Sequence, residues 1–209
     1  MQEPQPITLR CADGYELHGH FRRHAGDEAG TVIINPATGV LARYYHRYAR
    51  FLAEQGFACL TYDYRGIGLS KPARMRDARF RWRDWGELDF DAAVTWARRR
   101  DPHGPLVVVG HSFGGFLPGF APAAAQIDRI LTVGAQYAFW KDYAAAARLR
   151  LFLKWHMVMP ALTAVFGYFP GRRLGWLEDL PAGVANEWSF RRSHMEASYS
   201  DQEGPRILD

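Results

Sequence analysis

The stretch Pro105-Leu106-Val107-Val108-Val109-Gly110-His111-Ser112-Phe113-Gly114-Gly115 decides the predicted fold of this chain. Its first half, a short run of Leu and Val, is typical of a strand buried on both faces of a parallel sheet. The strand continues directly into Gly-x-Ser-x-Gly, in which Gly110 and Gly114 permit a turn too tight for side chains. Such a turn strains the backbone of Ser112 and lifts its hydroxyl above the sheet. The alternative is a glycine-rich turn with a capping serine, and the third glycine, Gly115, favours a nucleophile.

Similar buried segments recur along the first two thirds of the chain. Besides residues 106–110, they are 31–34, 57–62 and 129–133. Because helical patterns separate them, we expect four parallel neighbours in one sheet with right-handed crossovers. An antiparallel hairpin should precede this sheet, with strands Ile7–Arg10 and Tyr15–Phe21 around the turn Ala12-Asp13-Gly14.

The helical patterns fall at about 43–55 and 84–100, and Asp84 is the predicted cap of the second helix, with Glu87 three residues later. From Phe139 to Phe190 the pattern changes to aromatic and apolar helical segments without a convincing buried strand. We interpret this part as a helical cap inserted over the sheet. The predicted domains are therefore a core at 1–136, a cap at 137–190 and a divergent tail at 191–209.

The composition restricts the class of protein. The chain has 209 residues, 48% of them hydrophobic and 23% charged, as expected for a soluble globular domain. The net charge of +4 is mild and the basic residues are dispersed, so no nucleic-acid partner is expected. Cys11 and Cys59 are expected to be buried free thiols, and we expect no metal site and no cofactor. The polar N-terminus lacks a signal-peptide pattern, which favours a cytoplasmic location.

One apolar stretch, residues 149–169, is about long enough to cross a bilayer. Arg150, Lys154 and His156 interrupt it, and Pro160 should break the helix. Charges at mid-membrane are costly, so we expect no stable membrane span and interpret the stretch as part of the cap.

A serine nucleophile needs donors for the oxyanion that forms during acyl transfer. The Phe113 amide follows the serine at the start of a helical turn and should point at the developing charge. The second donor should come from the loop Asn35-Pro36-Ala37-Thr38-Gly39, which follows the strand 31–34. Pro36 has no N–H, so Ala37 is the preferred donor and Thr38 the reserve.

Two further features surround the serine. Pro118 and Pro122 fall in the helix that should follow Ser112, and each removes a backbone donor, so that helix should be short or kinked. His111 adjoins the serine, but its side chain should point away from the hydroxyl.

Three motifs together resemble the α/β hydrolases: Asn35–Gly39, Tyr62–Ser70 and Gly110–Gly115. The resemblance is strongest to bacterial predicted hydrolases near the serine aminopeptidase/monoacylglycerol lipase branch, whose cap is similar to Phe166–Arg173 and Glu178–Gly183. It covers roughly residues 7–190. The resemblance implies a mostly parallel, doubly wound sheet, catalytic Ser112, and a nucleophile elbow that includes Gly110, His111, Gly114 and Gly115. In such relatives the loop Asp63–Ser70 is structural, and we assign it no catalytic role.

The resemblance also implies an acid and then a histidine after the cap, each following a further strand. No convincing buried strand follows Val133. Of the two downstream histidines, His156 is interpreted as a packing residue, and His194, followed by Glu196 and Asp201, as a solvated tail residue. We therefore expect a C-terminally truncated chain that lacks the last strands of the fold.

These observations predict a serine hydrolase that acts on an acyl ester, rather than an amide, through an acyl-serine intermediate, with activity impaired by the missing acid and base. The aromatic cap predicts a small-molecule acyl substrate with an apolar or aromatic group, unless these side chains only seal the sheet. They are Phe139, Trp140, Trp155, Phe166, Tyr168, Phe169 and Trp176. The alternative is a non-catalytic binding protein, and the oligomeric state stays open.

Overall fold

A computed structural model of the chain describes residues 3–194 and residue 198. Its centre is a six-stranded sheet in the order β1-β2-β4-β3-β5-β6. The strands are β1 (Gln5–Arg10), β2 (Glu16–Arg22), β3 (Gly30–Asn35), β4 (Phe57–Tyr62), β5 (Leu106–His111) and β6 (Arg129–Val133). Most of the predicted tail, including Glu196 and Asp201, lies outside the described residues.

The four predicted core strands are parallel neighbours. β3 pairs with β4 and with β5, and β5 pairs with β6. All six residues of β3 are buried, as expected for a strand covered on both faces. The predicted hairpin also forms, because β1 runs antiparallel to β2, and β2 then pairs antiparallel with β4. The predicted α/β architecture is therefore confirmed.

The two predicted core helices form with altered ends. The first consists of a 3₁₀ turn (Ala42–Tyr45) and α1 (His46–Glu54). The second is one continuous helix built from α2 (Trp82–Asp84), a π-helical stretch (Trp85–Phe90) and α3 (Asp91–Arg100).

The start of the second helix corrects the predicted cap. Asp84 lies inside the first turn, where its carboxylate accepts a hydrogen bond from the Arg81 backbone N–H at 2.8 Å, so Arg81 occupies the capping position. Glu87, the predicted capping partner, forms an ion pair with Arg83 at 2.6 Å instead. The helix begins earlier because a carboxylate distant in sequence, Glu187, accepts a hydrogen bond from the Trp82 N–H.

Short 3₁₀ turns take the place of a regular helix after Ser112. They lie at Ser112–Gly115, Leu117–Gly119 and Pro122–Gln126. Pro118 and Pro122 each stand in the first turn of their segment, where a missing N–H costs least. The prediction of a short or kinked helix is confirmed.

The segment predicted as a cap is mostly helical. α4 (Ala145–Phe152), a π-helical stretch (Leu153–Val158) and α5 (Met159–Phe166) form one continuous helix, which ends at Gly167 with a φ of 76°. Pro160 does not break this helix as predicted; the π-helical stretch directly before it accommodates the ring and the missing donor. The short antiparallel strands β7 (Tyr168–Phe169) and β8 (Leu180–Pro181) follow, and α6 (Ala182–Phe190) packs on α5.

Strand β6 is an exposed edge of the sheet. All five of its residues are exposed, and Ile130, Leu131 and Val133 keep 50%, 51% and 49% of their surface accessible. The residues of β5 are mostly buried, whereas those of its neighbour β6 are all exposed.

Both cysteines are buried free thiols, as predicted. The Cys11 Sγ lies 3.6 Å from the Asp89 carboxylate, to which it donates. Burial raises the pKa of Cys11 and of Cys59 to about 12. Neither thiol is ionised near neutral pH, so neither is a nucleophile.

A buried arginine joins the N-terminal hairpin to the second helix. Arg65, 2% exposed, donates to the fully buried Asp89 from its Nε at 2.5 Å and from its backbone N–H at 2.8 Å. Its Nη1 reaches Asp13 in the hairpin turn at 2.7 Å. The guanidinium also lies over the rings of Tyr15 and Phe80, at 5.1 and 5.5 Å from their centroids. These contacts give Arg65 a structural role.

We predict that Asp89→Asn lowers the free energy of unfolding by about 3–5 kcal/mol, because it leaves the buried Arg65 charge without its main partner. Asp13→Asn is the matched control: its side chain is 40% exposed, and we expect a loss of about 1 kcal/mol or less. Urea unfolding followed by circular dichroism measures both values. Equal losses in the two variants would contradict this account of the Arg65 cluster.

Candidate active site

Ser112 stands at the sharp turn between β5 and the first 3₁₀ turn. Its φ is 52°, and Ala138 is the one other non-glycine residue with a positive φ in the described chain. The Ser112 side chain makes no hydrogen bond within residues 3–194 and 198. A left-handed backbone costs about 1–3 kcal/mol at a non-glycine residue and persists where the surroundings enforce it.

Three glycines create those surroundings. A Cβ at Gly110 would lie 2.5 Å from the Gly115 Cα, and a Cβ at Gly114 would lie 2.4 Å from the Asn35 carbonyl oxygen. A Cβ at Gly115 would lie 2.8 Å from the Ala135 Cβ. The turn at Ser112 is therefore packed against itself, the loop after β3 and the chain after β6.

The loop after β3 is held against the turn by buried polar groups. The Asn35 Nδ2 donates to the Gly114 carbonyl at 3.2 Å, and the Asn35 Oδ1 accepts from the Tyr62 hydroxyl at 2.9 Å. The Tyr64 hydroxyl donates to the Pro36 carbonyl at 2.9 Å. Asn35 is fully buried, so these hydrogen bonds are costly to break and fix the loop beside Ser112.

The predicted oxyanion donors differ in availability. The Phe113 N–H lies in the first turn of a 3₁₀ segment and has no partner in the described chain. The Ala37 N–H donates to the Tyr45 hydroxyl at 3.0 Å, so it is not free as the sequence suggested. The Thr38 backbone N–H, the predicted reserve, makes no hydrogen bond among the described residues. The geometry favours Phe113 and Thr38.

The His111 ring is engaged away from the serine. Its Nδ1 lies 2.7 Å from the Tyr45 hydroxyl oxygen. The same Tyr45 oxygen accepts the Ala37 N–H, so it joins the loop after β3 to the His111 ring. The ring therefore anchors the 3₁₀ turn before α1, in agreement with the prediction that it points away from the Ser112 hydroxyl.

Trp82 contacts the turn at Ser112, the loop after β3 and the predicted cap segment. Its indole stacks on the Phe113 ring with centroids 4.3 Å apart and an interplanar angle of 19°. The indole N–H donates to the Thr38 hydroxyl at 3.0 Å. On the cap side, its ring lies 5.5 Å from that of Trp188 in α6. Trp82 is 3% exposed, so it forms a closed aromatic wall beside the turn.

A carboxylate of α6 completes this junction. The Glu187 Oε2 accepts a hydrogen bond from the Trp82 backbone N–H at 2.7 Å. The pKa of Glu187 is raised to about 7, mainly by burial, with a smaller rise from the Asp84 carboxylate; the Trp82 and Arg83 backbone amides and the Arg81 charge act in the opposite direction. The cap thus contacts the helix start that carries the Trp82 wall.

Within the described residues, no histidine forms a hydrogen bond or ion pair with a carboxylate, and none hydrogen-bonds the Ser112 hydroxyl. The His156 Nδ1 contacts the Ser189 carbonyl, and its ring lies 5.0 Å from that of Phe152, as expected for a packing residue. His194 is exposed. Its predicted acid partners fall outside the described chain, so their arrangement with His194 stays a prediction.

Sequence reasoning missed three of the residues that shape this site. Trp82 precedes the predicted start of its helix, and Glu187 gives no local signal of a contact with a residue so distant in sequence. Tyr45 was part of a helical pattern, and nothing in that pattern indicated that its hydroxyl binds the Ala37 amide. Trp82 is aromatic and buried, and Glu187 is acidic and half-buried. Their burial depends on the tertiary structure, so the sequence could not indicate it.

Solved structures with similar architecture place the fold in a known class. The chain is similar to the α/β hydrolase GrgF from Penicillium sp. sh18, with a TM-score of 0.61 and 19% identity over 91% of this chain and 74% of that one. It is also similar to XC6422 from Xanthomonas campestris, described as an α/β serine hydrolase without a lid, with a TM-score of 0.53 and 22% identity over 67% and 65% of the two chains. The chain therefore has the α/β-hydrolase fold.

The sequence matches the serine aminopeptidase family, S33, over residues 26–203, and the chain belongs to this family. A relative is the quorum-quenching protein AidA of Acinetobacter baumannii, 36% identical over 102 residues, which are 46% of this chain and 31% of AidA. The chain thus spans less than two thirds of both AidA and XC6422.

We predict that Gly114→Ala destabilises the fold by about 2–3 kcal/mol, because its methyl group would collide with the backbone of the loop after β3. Gly26→Ala is the control, since a Cβ there would contact only the His24 side chain, 3.3 Å away, and we expect a change within about 0.5 kcal/mol. Thermal or urea unfolding measures both. A Gly114→Ala variant as stable as the wild type would mean that the loop is not packed on the elbow as described.

The Glu187 carboxyl should make stability depend on pH. Its pKa is raised in the folded protein, to about 7 from 4.5, so the folded state holds this proton more tightly than the unfolded chain. Its contribution to stability therefore falls as pH rises from about 4.5 to about 7. Glu187→Gln keeps an acceptor for the Trp82 amide and cannot ionise. We expect it to be more stable than wild type by about 1–3 kcal/mol at pH 8, with little difference at pH 4.5. A pH-independent difference in urea unfolding would contradict this.

Proposed function

We propose that this chain carries the nucleophilic half of a serine esterase active site, with Ser112 as nucleophile. The single observation that carries the proposal is the left-handed Ser112 between a buried strand and a 3₁₀ turn, enforced by glycine packing. Membership of the serine aminopeptidase family supports a hydrolase. Ester specificity, rather than amide, is part of the proposal.

In the proposed reaction, the Ser112 Oγ attacks the acyl carbon of an ester, and a new C–O bond forms as the carbonyl electrons move to the oxygen. The serine proton passes to a base. The Phe113 and Thr38 amides stabilise the oxyanion, in a role worth about 3–4 kcal/mol for a single donor in comparable sites. Collapse of this intermediate breaks the ester C–O bond, and the leaving alkoxide takes back a proton and departs as the alcohol. Water then attacks the acyl-serine, which releases the carboxylic acid and restores the Ser112 hydroxyl.

The substrate class follows from the aromatic wall beside Ser112. Trp82 stacks on Phe113 and contacts Trp188, which in turn lies 5.7 Å from Trp155. Of the predicted cap aromatics, Trp155 and Phe169 are buried and seal the core, whereas Trp176 keeps 38% of its surface exposed. We propose a small acyl ester with an apolar acyl or aromatic group, which suits the aromatic surroundings of Ser112, although Trp82 itself is closed off by its neighbours.

Slow turnover is the second part of the proposal. Among residues 3–194 and 198, no histidine forms a hydrogen bond or ion pair with a carboxylate, and none hydrogen-bonds the Ser112 hydroxyl. Loss of the base of a serine triad lowers kcat by about 10⁴–10⁶ in comparable enzymes. A non-catalytic binding protein is the competing function, and the same missing pair favours it.

The chain of 209 residues should hydrolyse a short activated ester no faster than Ser112→Ala. Its serine should nevertheless react when a base is supplied. We expect added imidazole, acting as general base, to accelerate fluorophosphonate labelling of Ser112 at least tenfold, with the adduct located by mass spectrometry. Ser193→Ala, which removes an exposed serine, is the control and should label like the wild type.

The outcomes separate the alternatives. Absence of a Ser112 adduct with and without imidazole would favour the binding protein. An ester hydrolysis rate clearly above that of Ser112→Ala, and abolished by His194→Ala, would show that the tail supplies the missing base and that the predicted impairment is wrong.

A further inference from the structure

The continuous cap helix leaves a long apolar stripe exposed. Residues 145–166 are the one helix in the described chain that is long and apolar enough to cross a membrane by length and composition, and only 17% of its most apolar window is buried. The exposed fractions of Leu149, Leu153, Met157 and Val165 are 69%, 46%, 57% and 69%. Single exposed apolar side chains are normal, but a row that follows one helix marks an interaction surface.

The packing of this helix is incompatible with a transmembrane orientation. Its other side carries Trp155, Met159 and Thr163, which are buried at 7%, 1% and 4% exposure. Their spacing of four residues puts them on one helical face, and that side packs against α6. A helix held to the core along one face cannot insert across a bilayer, although its free face can lie on one.

The charge along the stripe is predominantly positive. Between Tyr143 and Leu177 the sequence contains no Asp or Glu, while it contains Arg148, Arg150, Lys154, Arg172 and Arg173. The acids of the following loop, Glu178 and Asp179, pair with Lys71 at 3.4 Å, and Glu178 also pairs with Arg172 at 3.8 Å. An apolar helix face bordered by Lys and Arg is typical of helices that bind in the interface of anionic membranes.

The turn after β7 extends the same surface. Trp176 and Leu174 are each 38% exposed. The Lys154 ammonium lies 3.9 Å from the centroid of the Trp176 ring, which places this turn directly beside the helix. Tryptophan is favoured at membrane–water interfaces because its apolar ring and polar N–H suit the headgroup region.

We propose that this cap surface, defined by Leu149, Leu153, Met157, Val165, Leu174 and Trp176, docks on an anionic lipid bilayer. The apolar side chains enter the headgroup region and the surrounding Arg and Lys side chains contact lipid phosphates. A second copy of the chain is a poorer occupant, because a two-fold contact would place the basic residues of both copies opposite each other.

The test is sedimentation of the full chain with vesicles, which requires no enzymatic activity and is therefore independent of the proposed function. We expect binding to vesicles of phosphatidylglycerol and phosphatidylcholine, and much weaker binding to phosphatidylcholine alone. Leu153→Ser/Met157→Ser should raise the lipid concentration for half-binding at least tenfold. Arg150→Gln/Arg173→Gln should raise it about 25-fold at low salt, since each charge near an anionic surface contributes roughly fivefold.

The matched control is Tyr44→Ser/Phe51→Ser, which removes two apolar residues, 73% and 52% exposed, that lie outside the cap. This variant should bind vesicles like the wild type. Circular dichroism and unfolding midpoints verify that all variants fold. The proposal is overturned if the chain does not bind anionic vesicles, or if the cap variants bind them as tightly as the wild type. It is also overturned if sedimentation shows a dimer that Leu153→Ser/Met157→Ser dissociates.

Discussion

The left-handed backbone at Ser112 is the constraint on which the rest of the site depends. A non-glycine residue keeps a φ of 52° only where the surrounding structure enforces this conformation. Here Gly110, Gly114 and Gly115 bring three segments of the chain into contact around Ser112. The fully buried Asn35 then fastens the loop after β3 to the Gly114 carbonyl. The close packing of the glycines therefore determines where the candidate oxyanion donors lie.

Two hydrogen-bonded chains extend from this turn in different directions. One passes from the Ala37 amide through the Tyr45 hydroxyl to His111, and it ties the loop to the start of the first helix. The other passes from the Thr38 hydroxyl through the Trp82 indole, and the Trp82 amide continues it to Glu187. The second chain joins the loop after β3 to α6. A movement of α6 would therefore displace the Trp82 side chain and the Thr38 hydroxyl that it binds.

The sequence was sufficient for what depends on local pattern, and insufficient for what depends on distant contacts. The four parallel strands followed from buried β-branched runs, and the turns after Ser112 from Pro118 and Pro122, because these residues restrict their own backbone. The helix start at Trp82 could not be predicted, since the Trp82 amide in its first turn donates to Glu187, more than a hundred residues away. The occupied Ala37 amide escaped prediction for the same reason, because the Tyr45 hydroxyl that binds it reveals its direction only in the folded chain.

The exposed edge at β6 has a consequence for how the chain behaves during synthesis and storage. A flat edge strand offers unpaired backbone groups to any other extended chain, and proteins usually protect such edges with Lys, Pro or a bulge. Here Arg129 is the only charged residue in a strand that otherwise reads Ile-Leu-Thr-Val. Parallel sheets also form late in folding, because their contacts join distant segments. Concentrated preparations should therefore lose material through strand-to-strand association that begins at residues 129–133.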